Sequence, residues 1–574
     1  MAQKVIVPRL GQTMTEGTVA RFFVKDGDKV TEGTPIYELE YDKSTAPVAA
    51  KRGGTVRLLV SEGTVVKLGN PVAVILEDGE TLESAGFGDA PAAAAPAAAA
   101  PAPAAAPAAA AASYDADVIV IGGGPGGYVC ANKLGMLGKK VILVERDRVG
   151  GTCLNRGCIP TKALLQSAEL YESVKNGAAM GVEVEGLKAN LAQVDAFREK
   201  IVNGLVRGVE SLLRARKVET VRGQASFVDA KTIKVVDGTN ERKLTAENIV
   251  IATGSKTMNP PIPGLDGKNV LTSTEALHVT NLPESVAIIG GGVIGMELAV
   301  VYANFGAKVT VIEALDKLVA IMDGEVSDEC ARLLKDKMDI RLSARVSSVS
   351  DKGDKKVVTF TENGQEQQVE ADWVLAALGR GPEFDGLGLE NIGIKADRKS
   401  GIPVDENFMT SVPGVYAIGD SNGMGMLAHV ASAEGITVAE HLCGHVSNIN
   451  MKVVPSCIYC EPEIASVGMT EEQVKAAGIP YKTGKFPFRA NGRSMIVGQP
   501  VGFVKIIGQA ETNEVLGVHI IGPHATEMIG ECAAVMKLEG CVEDIAQTIH
   551  AHPTVSESIM EAAESYMGGS IHSL

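Results

Sequence analysis

The sequence predicts an α/β protein: two doubly wound domains on parallel sheets, preceded by a small all-β domain on a tether. Three observations carry this. ADVIVIGGGPGGYVCANKLGMLGKKVILVERD and ESVAIIGGGVIGMELAVVYANFGAKVTVIEAL each read as an apolar strand, a glycine turn, an amphipathic helix and a second strand. Residues 1–80 contain an internal repeat of strand-like segments. Between these regions lies PAAAAPAAAAPAPAAAPAAAAA, residues 91–112, with neither a charge nor a large side chain to build a core.

The repeat comes first in the chain. FVKDGDKVTEGTPIYEL (23–39) recurs 36 positions later as VSEGTVVKLGNPVAVI (60–75), matching Val24/Val60, Asp26/Glu62, Gly27/Gly63, Val30/Val66, Gly33/Gly69 and Pro35/Pro71. Two equivalent strand sets predict a two-fold β-sandwich or flattened barrel. Between them, EYDKSTAP places Lys43 at the tip of a predicted hairpin. The Ala/Pro segment reads as a semi-rigid linker able to reach on the order of 60 Å at about 3 Å per residue.

In the first βαβ unit Gly122, Gly124 and Gly127 follow a strand and open a helix, and Glu145 ends the next strand, 23 residues after Gly122. Gly290, Gly292, Gly295 and Glu313 repeat the pattern with the same spacing of 23. The first glycine turns the chain, the second lets a pyrophosphate approach the backbone, and the third packs helix on strand. The helix N-terminus favours phosphate charge, and the terminal carboxylate accepts hydrogen bonds from a ribose diol. Two sites predict two dinucleotides. At the second, the Glu313 carboxylate would repel a 2′-phosphate, which selects NAD over NADP. The first is assigned to FAD on chain order and on two later signals: ENIVIATGS (247–255), with Thr253 and Gly254, and GVYAIGD (414–420), ending in Asp420.

GGTCLNRGCIPTK (150–162) places Cys153 and Cys158 five positions apart just past the first βαβ unit. On an ideal helix such a pair is roughly 8 to 9 Å apart at Cα, and a disulfide spans no more than about 7 Å. A bridge therefore requires a distorted turn, which Gly157 is suited to supply. Beside a bound dinucleotide the pair points to electron exchange between flavin and disulfide. Lys162, one turn past Cys158, is placed to set a positive charge near flavin or thiolate. Glu297, one turn into the second helix, is its candidate partner. HAHPTVSE (550–557) brings together His550, His552 and Glu557; a carboxylate that orients an imidazole is the usual arrangement of a general base. His429 and His519 read as structural.

Bulk properties exclude several classes. Over 574 residues the formal net charge of −16 argues against nucleic acid and anionic membrane surfaces as partners. No apolar run approaches the roughly 20 residues of a membrane span. The start, MAQKVIVPRL, lacks the features of a signal or transit peptide, so a cytoplasmic protein is expected. Nine scattered cysteines do not form a secreted-type disulfide framework. Cys457 and Cys460 have metal-like spacing, but no second pair completes a ligand set, and no metal site is expected.

Together these motifs resemble dihydrolipoyl dehydrogenases, of the flavoprotein disulfide-oxidoreductase group related to glutathione reductase. The resemblance covers residues 114–574, with GGTCLNRGCIPTK and HAHPTVSE its most specific stretches. Residues 1–80 resemble the lipoyl domain of 2-oxo acid dehydrogenase complexes, with Ser44 where the usual DKA motif has Ala. The resemblance implies covalent lipoate on Lys43 and a linker at 81–113. It also implies an FAD-binding domain at 114–262 and 384–452, an NAD-binding domain at 263–383, and an α+β dimerisation domain at 453–574. In such a homodimer Cys158 lies against the flavin as the charge-transfer thiolate, and Cys153 exchanges with the substrate dithiol. His552, from the other subunit and paired with Glu557, takes the proton from dihydrolipoamide. Lys162 and Glu297 match the pair beside the flavin. Asp420 and the backbone of Met426, Leu427 and Ala428 match a second flavin-binding region, and Gly379 in GRGPEFDG is a further cofactor-binding candidate. Relatives carry an Asn near Glu383 to Asp385, a departure in that loop.

The implied activity is oxidation of protein-bound dihydrolipoamide through the disulfide and FAD, with reduction of NAD. It would serve a 2-oxo acid dehydrogenase-type complex, with acyltransferase or other lipoyl-bearing components as partners. Two alternatives stay open: another reductase of the group, such as glutathione or mercuric reductase, or a lipoyl carrier and assembly subunit. Glu313 opposes an NADP enzyme, and GGSIHSL at the C-terminus lacks the cysteine pair expected for mercury.

Overall fold

A computed structural model describes residues 3–8, 16–31, 33–41, 44–76 and 114–573. The chain divides into two compact units, 1–112 and 113–574.

The first unit is two four-stranded antiparallel sheets. One runs Gln3–Ile6, Pro71–Leu76, Gly54–Leu58, Lys29–Val30; the other runs Ser44–Ala49, Pro35–Tyr41, Glu16–Phe22, Val65–Lys67. Val19, Ile36, Leu39, Val56, Val72 and Ile75 fill the space between. The repeat is a working pseudo-two-fold: the Asp26 carboxylate accepts from Leu58 N–H at 2.8 Å, and its counterpart Glu62 accepts from Phe22 N–H, 36 positions earlier than Leu58, at 2.7 Å. Matched Gly27 and Gly63 share a left-handed turn, with φ of +92° and +81°. Lys43 lies outside the described residues, as does the linker. The strands on either side of Lys43 pair antiparallel, Tyr41 opposite Ser44.

In the second unit, strand Ala116–Ile121, helix α1 (Pro125–Met136) and strand Val141–Glu145 form the first crossover. Helices α2 (Gly151–Arg156), α3 (Cys158–Lys175) and α4 (Leu191–Ala215) follow. The sheet continues in parallel through Glu219–Arg222 on one side and Asn240–Ile251 and Val415–Ala417 on the other, with an antiparallel meander of Gln224–Asp229 and Thr232–Asp237. A second, wholly parallel sheet orders Val270–Leu271, Trp373–Ala376, Ser285–Ile289, Lys308–Ile312 and Asp339–Arg341. Helix α5 (Val293–Asn304) crosses between its central strands. It is apolar on nearly every side because α3 covers the face turned away from the sheet, with Leu164, Leu165 and Ala168 in the same core. Helix α6 (Gly324–Leu334) and helix α7 (Ala428–His441) complete the two halves. The last segment is a five-stranded antiparallel sheet, Ser456–Ile458 to Tyr481–Pro487, backed by helices that include Ala525–Lys537 and Glu557–Met567. No helix among the described residues is long and apolar enough to cross a membrane.

A buried ionic cluster joins the region of the second parallel sheet to this last segment. Lys505, with 2% of its side chain exposed, contacts Asp323 at 3.0 Å, Glu325 at 2.8 Å and Glu471 at 2.6 Å. Asp323 caps α6 through Glu325 N–H, and its other oxygen accepts from Glu471 N–H at 2.9 Å, so two helix N-termini meet over one ammonium.

Candidate active site

The two glycine turns are built alike. A Cβ on Gly122 would stand 2.2 Å from the Ala252 carbonyl oxygen, and one on Gly290 would stand 2.4 Å from that of Ala377; both glycines are left-handed, φ +105° and +110°. On Gly127 and Gly295 a Cβ would strike the carbonyls of Gly122 and Gly290 at 1.8 and 2.0 Å, so only glycine lets each helix approach its strand. Gly124 and Gly292 instead face space: the nearest atom to a Gly124 Cβ is Gly151 Cα at 3.9 Å, and nothing lies within 4 Å of one on Gly292. Glu145 accepts from Gly123 N–H at 2.6 Å and Asp147 N–H at 2.8 Å; Glu313 accepts from Gly291 N–H at 2.6 Å and Leu315 N–H at 2.7 Å. Each carboxylate is held at the mouth of its turn with lone pairs to spare. Open space at the helix N-terminus beside a fixed carboxylate fits a dinucleotide in both places. Gly254 and Gly379 come two residues after Ala252 and Ala377, each left-handed at +73° and +94° with room around it, which makes Gly379 the second-site counterpart of Gly254. Thr253 hydroxyl donates to the Glu383 carbonyl at 2.5 Å, and Glu383 carboxylate accepts from Asp385 N–H at 2.8 Å. Glu383 thus closes the loop where relatives were expected to carry Asn.

The cysteines sit on either side of a helix break. α2 ends at Arg156, Gly157 is non-helical with φ −145° and ψ −114°, and Cys158 opens α3. The pair stands as two thiols, Cys153 half-buried and Cys158 exposed. Their environments are unequal. A hydrogen bond from the Cys153 thiol, aided by the Lys162 ammonium and opposed by burial, pulls the Cys158 thiol down to about 7. The same bond, followed by burial, pushes Cys153 far up. The hydrogen bond and the nearby ammonium thus favour thiolate at Cys158, with Cys153 as the protonated donor.

Lys162 Nζ donates to both oxygens of Glu297 at 2.8 Å, across α3 and α5. Tyr459 frames the pair: its N–H donates to Glu297 at 3.0 Å and its ring centre lies 4.5 Å from Lys162 Nζ. Tyr459 was not legible as a site residue because it lies just past strand Ser456–Ile458, nearly 300 positions beyond Lys162. Asp420 lies in the short turn Gly419–Asn422 and accepts from Ser255 hydroxyl at 2.5 Å. Leu427 caps α7, Ala428 opens it and Met426 is exposed just before it, so backbone N–H groups of this helix start face the same region. Beneath the turn, buried Glu434 accepts from Gly419 N–H at 2.5 Å and Asn422 at 2.9 Å; burial outweighs these bonds and pushes its carboxyl up to about 7.

His552 Nδ1 meets Glu557 at 2.9 Å, and the other Glu557 oxygen accepts from Thr554 N–H at 2.8 Å. Burial opposes charge on Glu557, but Thr554 and His552 outweigh it and hold the carboxyl below its ordinary range. The His552 side chain is 80% exposed, with Nδ1 rather than Nε2 turned to Glu557. His550 is different: it joins Glu531 at 2.8 Å and the Thr548 carbonyl at 2.9 Å, and the Glu531 carboxylate first, with Thr548, raises its pKa above the ordinary imidazole value against the effect of burial. His429 bonds the Pro455 carbonyl, and His519 is buried against the Met469 carbonyl. Cys457 and Cys460 do not pair with each other: the Cys460 thiol meets Cys330 and the Pro462 carbonyl. Among the described residues no cluster of three or more His, Cys, Asp or Glu is arranged to hold a metal.

Duplicate dinucleotide turns around a cysteine pair define a class. The sequence pattern of the pyridine nucleotide-disulphide oxidoreductases matches residues 116–435, their dimerisation domain matches 454–563, and the pattern described as biotin-requiring enzyme matches 3–75. The chain belongs to the pyridine nucleotide-disulphide oxidoreductase family, as an FAD-dependent member with an N-terminal biotin/lipoyl-type domain. It is 41% identical over 460 residues to the dihydrolipoyl dehydrogenase of Geobacillus stearothermophilus, covering 80% of this chain and 97% of the relative. It is 42% identical to the mitochondrial dihydrolipoyl dehydrogenase of Pisum sativum, covering 79% and 92%. The crystal structure of LpdA from Mycobacterium tuberculosis superposes with a TM-score of 0.73 at 28% identity, covering 78% of this chain and 99% of that one.

Proposed function

We propose that the chain oxidises protein-bound dihydrolipoamide to lipoamide and passes the electrons to NAD, as a cytoplasmic homodimeric component of a 2-oxo acid dehydrogenase-type complex. The observation that carries this is the cysteine pair set on either side of the Gly157 break, in a chain with two dinucleotide turns and the Lys162–Glu297 ion pair. Gly122, Gly124, Gly127, Glu145 and the Asp420 turn would hold FAD, and Gly290, Gly292, Gly295 and Glu313 would hold NAD; bound there, the flavin would supply two-electron chemistry between dithiol and nicotinamide. Residues 114–262 with 384–452 would form the FAD-binding domain, 263–383 the NAD-binding domain and 453–574 the subunit interface.

The protein's own groups manage thiols and protons. His552 of the partner subunit, its Nδ1–H held by Glu557, takes a proton from the substrate thiol at Nε2. The substrate thiolate attacks Cys153, and Cys158 leaves as the more stable thiolate. The second substrate thiol then attacks the first substrate sulfur, closing the lipoyl disulfide and breaking its bond to Cys153, which leaves as a thiol with the second thiol's proton. Lys162, fixed by Glu297, keeps positive charge near Cys158 throughout. Lys43 would carry the lipoyl group of the first unit.

The test is direct: holoenzyme given free dihydrolipoamide and NAD should form NADH, and NADP should not substitute. Activity with glutathione disulfide or mercuric ion instead, or a colourless protein, would overturn the reading. His552→Gln should lower kcat about 10²- to 10⁴-fold, the usual range for losing a general base, while titration still finds the Cys153/Cys158 dithiol.

A further inference from the structure

Arg380 stands where three parts of the redox site meet. It opens strand Arg380–Pro382, paired antiparallel with Ser255–Thr257. Its Nε–H donates to Ser255 Oγ at 2.8 Å and an Nη2 hydrogen to the Ser255 carbonyl at 2.6 Å, a two-pronged grip on one residue. Ser255 Oγ passes the bond on to Asp420 at 2.5 Å. From the same Nη2 the guanidinium reaches Thr152 Oγ1 at 3.4 Å. Thr152 precedes Cys153 on α2, and its carbonyl lies against Gly157, where a Cβ would stand only 3.0 Å from it. Gly157 in turn precedes Cys158. One planar cation therefore holds the point from which both sulfurs are suspended. No carboxylate lies within ion-pair distance of Arg380 among the described residues, although Asp420 and the Cys158 sulfur attract its charge from farther off; its direct bonds are to Ser255, Thr257 and Thr152.

We infer that Arg380 is a positioning residue for the Cys153–Cys158 pair: by tying α2 to Ser255 and Asp420 it fixes the two sulfurs at bonding separation across the Gly157 break. The inference rests on reading these cysteines as the redox pair. Lysine keeps the charge but cannot grip two Ser255 acceptors and Thr152 from one plane. Positioning therefore predicts that Arg380→Lys and Arg380→Met behave alike.

The experiment equilibrates holoenzyme in buffers of reduced and oxidised dithiothreitol without NAD, followed by acid quench, alkylation and mass analysis of the 150–162 peptide. Disulfide formation gives two electrons and two protons to oxidised dithiothreitol, which becomes its dithiol. Both Arg380 variants should disfavour the disulfide about tenfold in equilibrium constant, the scale of one lost charge-assisted hydrogen bond. Thr152→Val, which deletes only the hydroxyl, should shift it in the same direction, and it decides the matter if the Arg380 variants do not fold. An equilibrium within twofold of the parent, a shift toward disulfide, or a parent-like Arg380→Lys beside a shifted Arg380→Met would overturn the inference. If the parent itself never forms the bond, the redox-pair reading falls first.

Discussion

Cys158→Ser should abolish NADH formation from dihydrolipoamide, leaving the rate without enzyme. The hydroxyl cannot close a bridge to Cys153, so the substrate dithiol meets no disulfide to attack and no electrons enter through the pair. Stopped-flow and steady-state assays should find no turnover in yellow, folded protein; measurable turnover would sink the mechanism. The asymmetry of the pair adds a second outcome. The largest influence holding the Cys158 thiol down to about 7 is the Cys153 hydrogen bond. Cys153→Ala should therefore move the Cys158 titration upward, toward the ordinary thiol value of about 8.5, read as the pH dependence of thiolate absorbance. Cys153→Ser, which keeps a donor, should move it less.

Lys505→Met should destabilise the second unit by about 3–5 kcal/mol, the cost of stranding buried charges by removing their partner. Asp323 and Glu471 would lose the ammonium that both share, and the starts of α6 and of Glu471–Ala476 should exchange amide hydrogens faster, with a lower Tm. The same cluster sets an acid limit. Lys475 first, then Lys505, hold the Glu471 carboxyl down to about 2. Its folded value lies below its unfolded value of about 4.3, so this stabilisation is present above that pH and lost as pH falls toward 2. Lys505→Met should shift the acid unfolding limb to higher pH; an unchanged limb would show that the cluster does not act as described.

Much of the site was legible because its signals are local. Glycine spacing set both turns, since Gly127 and Gly295 must admit a helix against a carbonyl, and the distance between Cys153 and Cys158 required a break that Gly157 supplies. His552 and Glu557 are five residues apart and pair as expected. What escaped was set by docking of remote segments. Arg380 meets Ser255 and Thr152 from 125 and 228 positions away, Lys505 finds Asp323 across 182, and Tyr459 reaches Glu297 across 162. No periodicity or motif encodes such meetings. Lys43, the position of greatest interest in the first unit, lies outside the described residues, so its expected role stays a proposal tested by intact mass.

The two dinucleotide turns share glycines and carboxylates but not their surroundings. Gly151, at the head of the cysteine helix, closes in on Gly124, while Gly292 looks onto open space. A dinucleotide at the first turn would lie beside the start of the cysteine helix, and one at the second would have no such neighbour among the described residues. One plan used twice thus carries two different surroundings, the physical basis on which a tightly kept group and an exchanging one could differ.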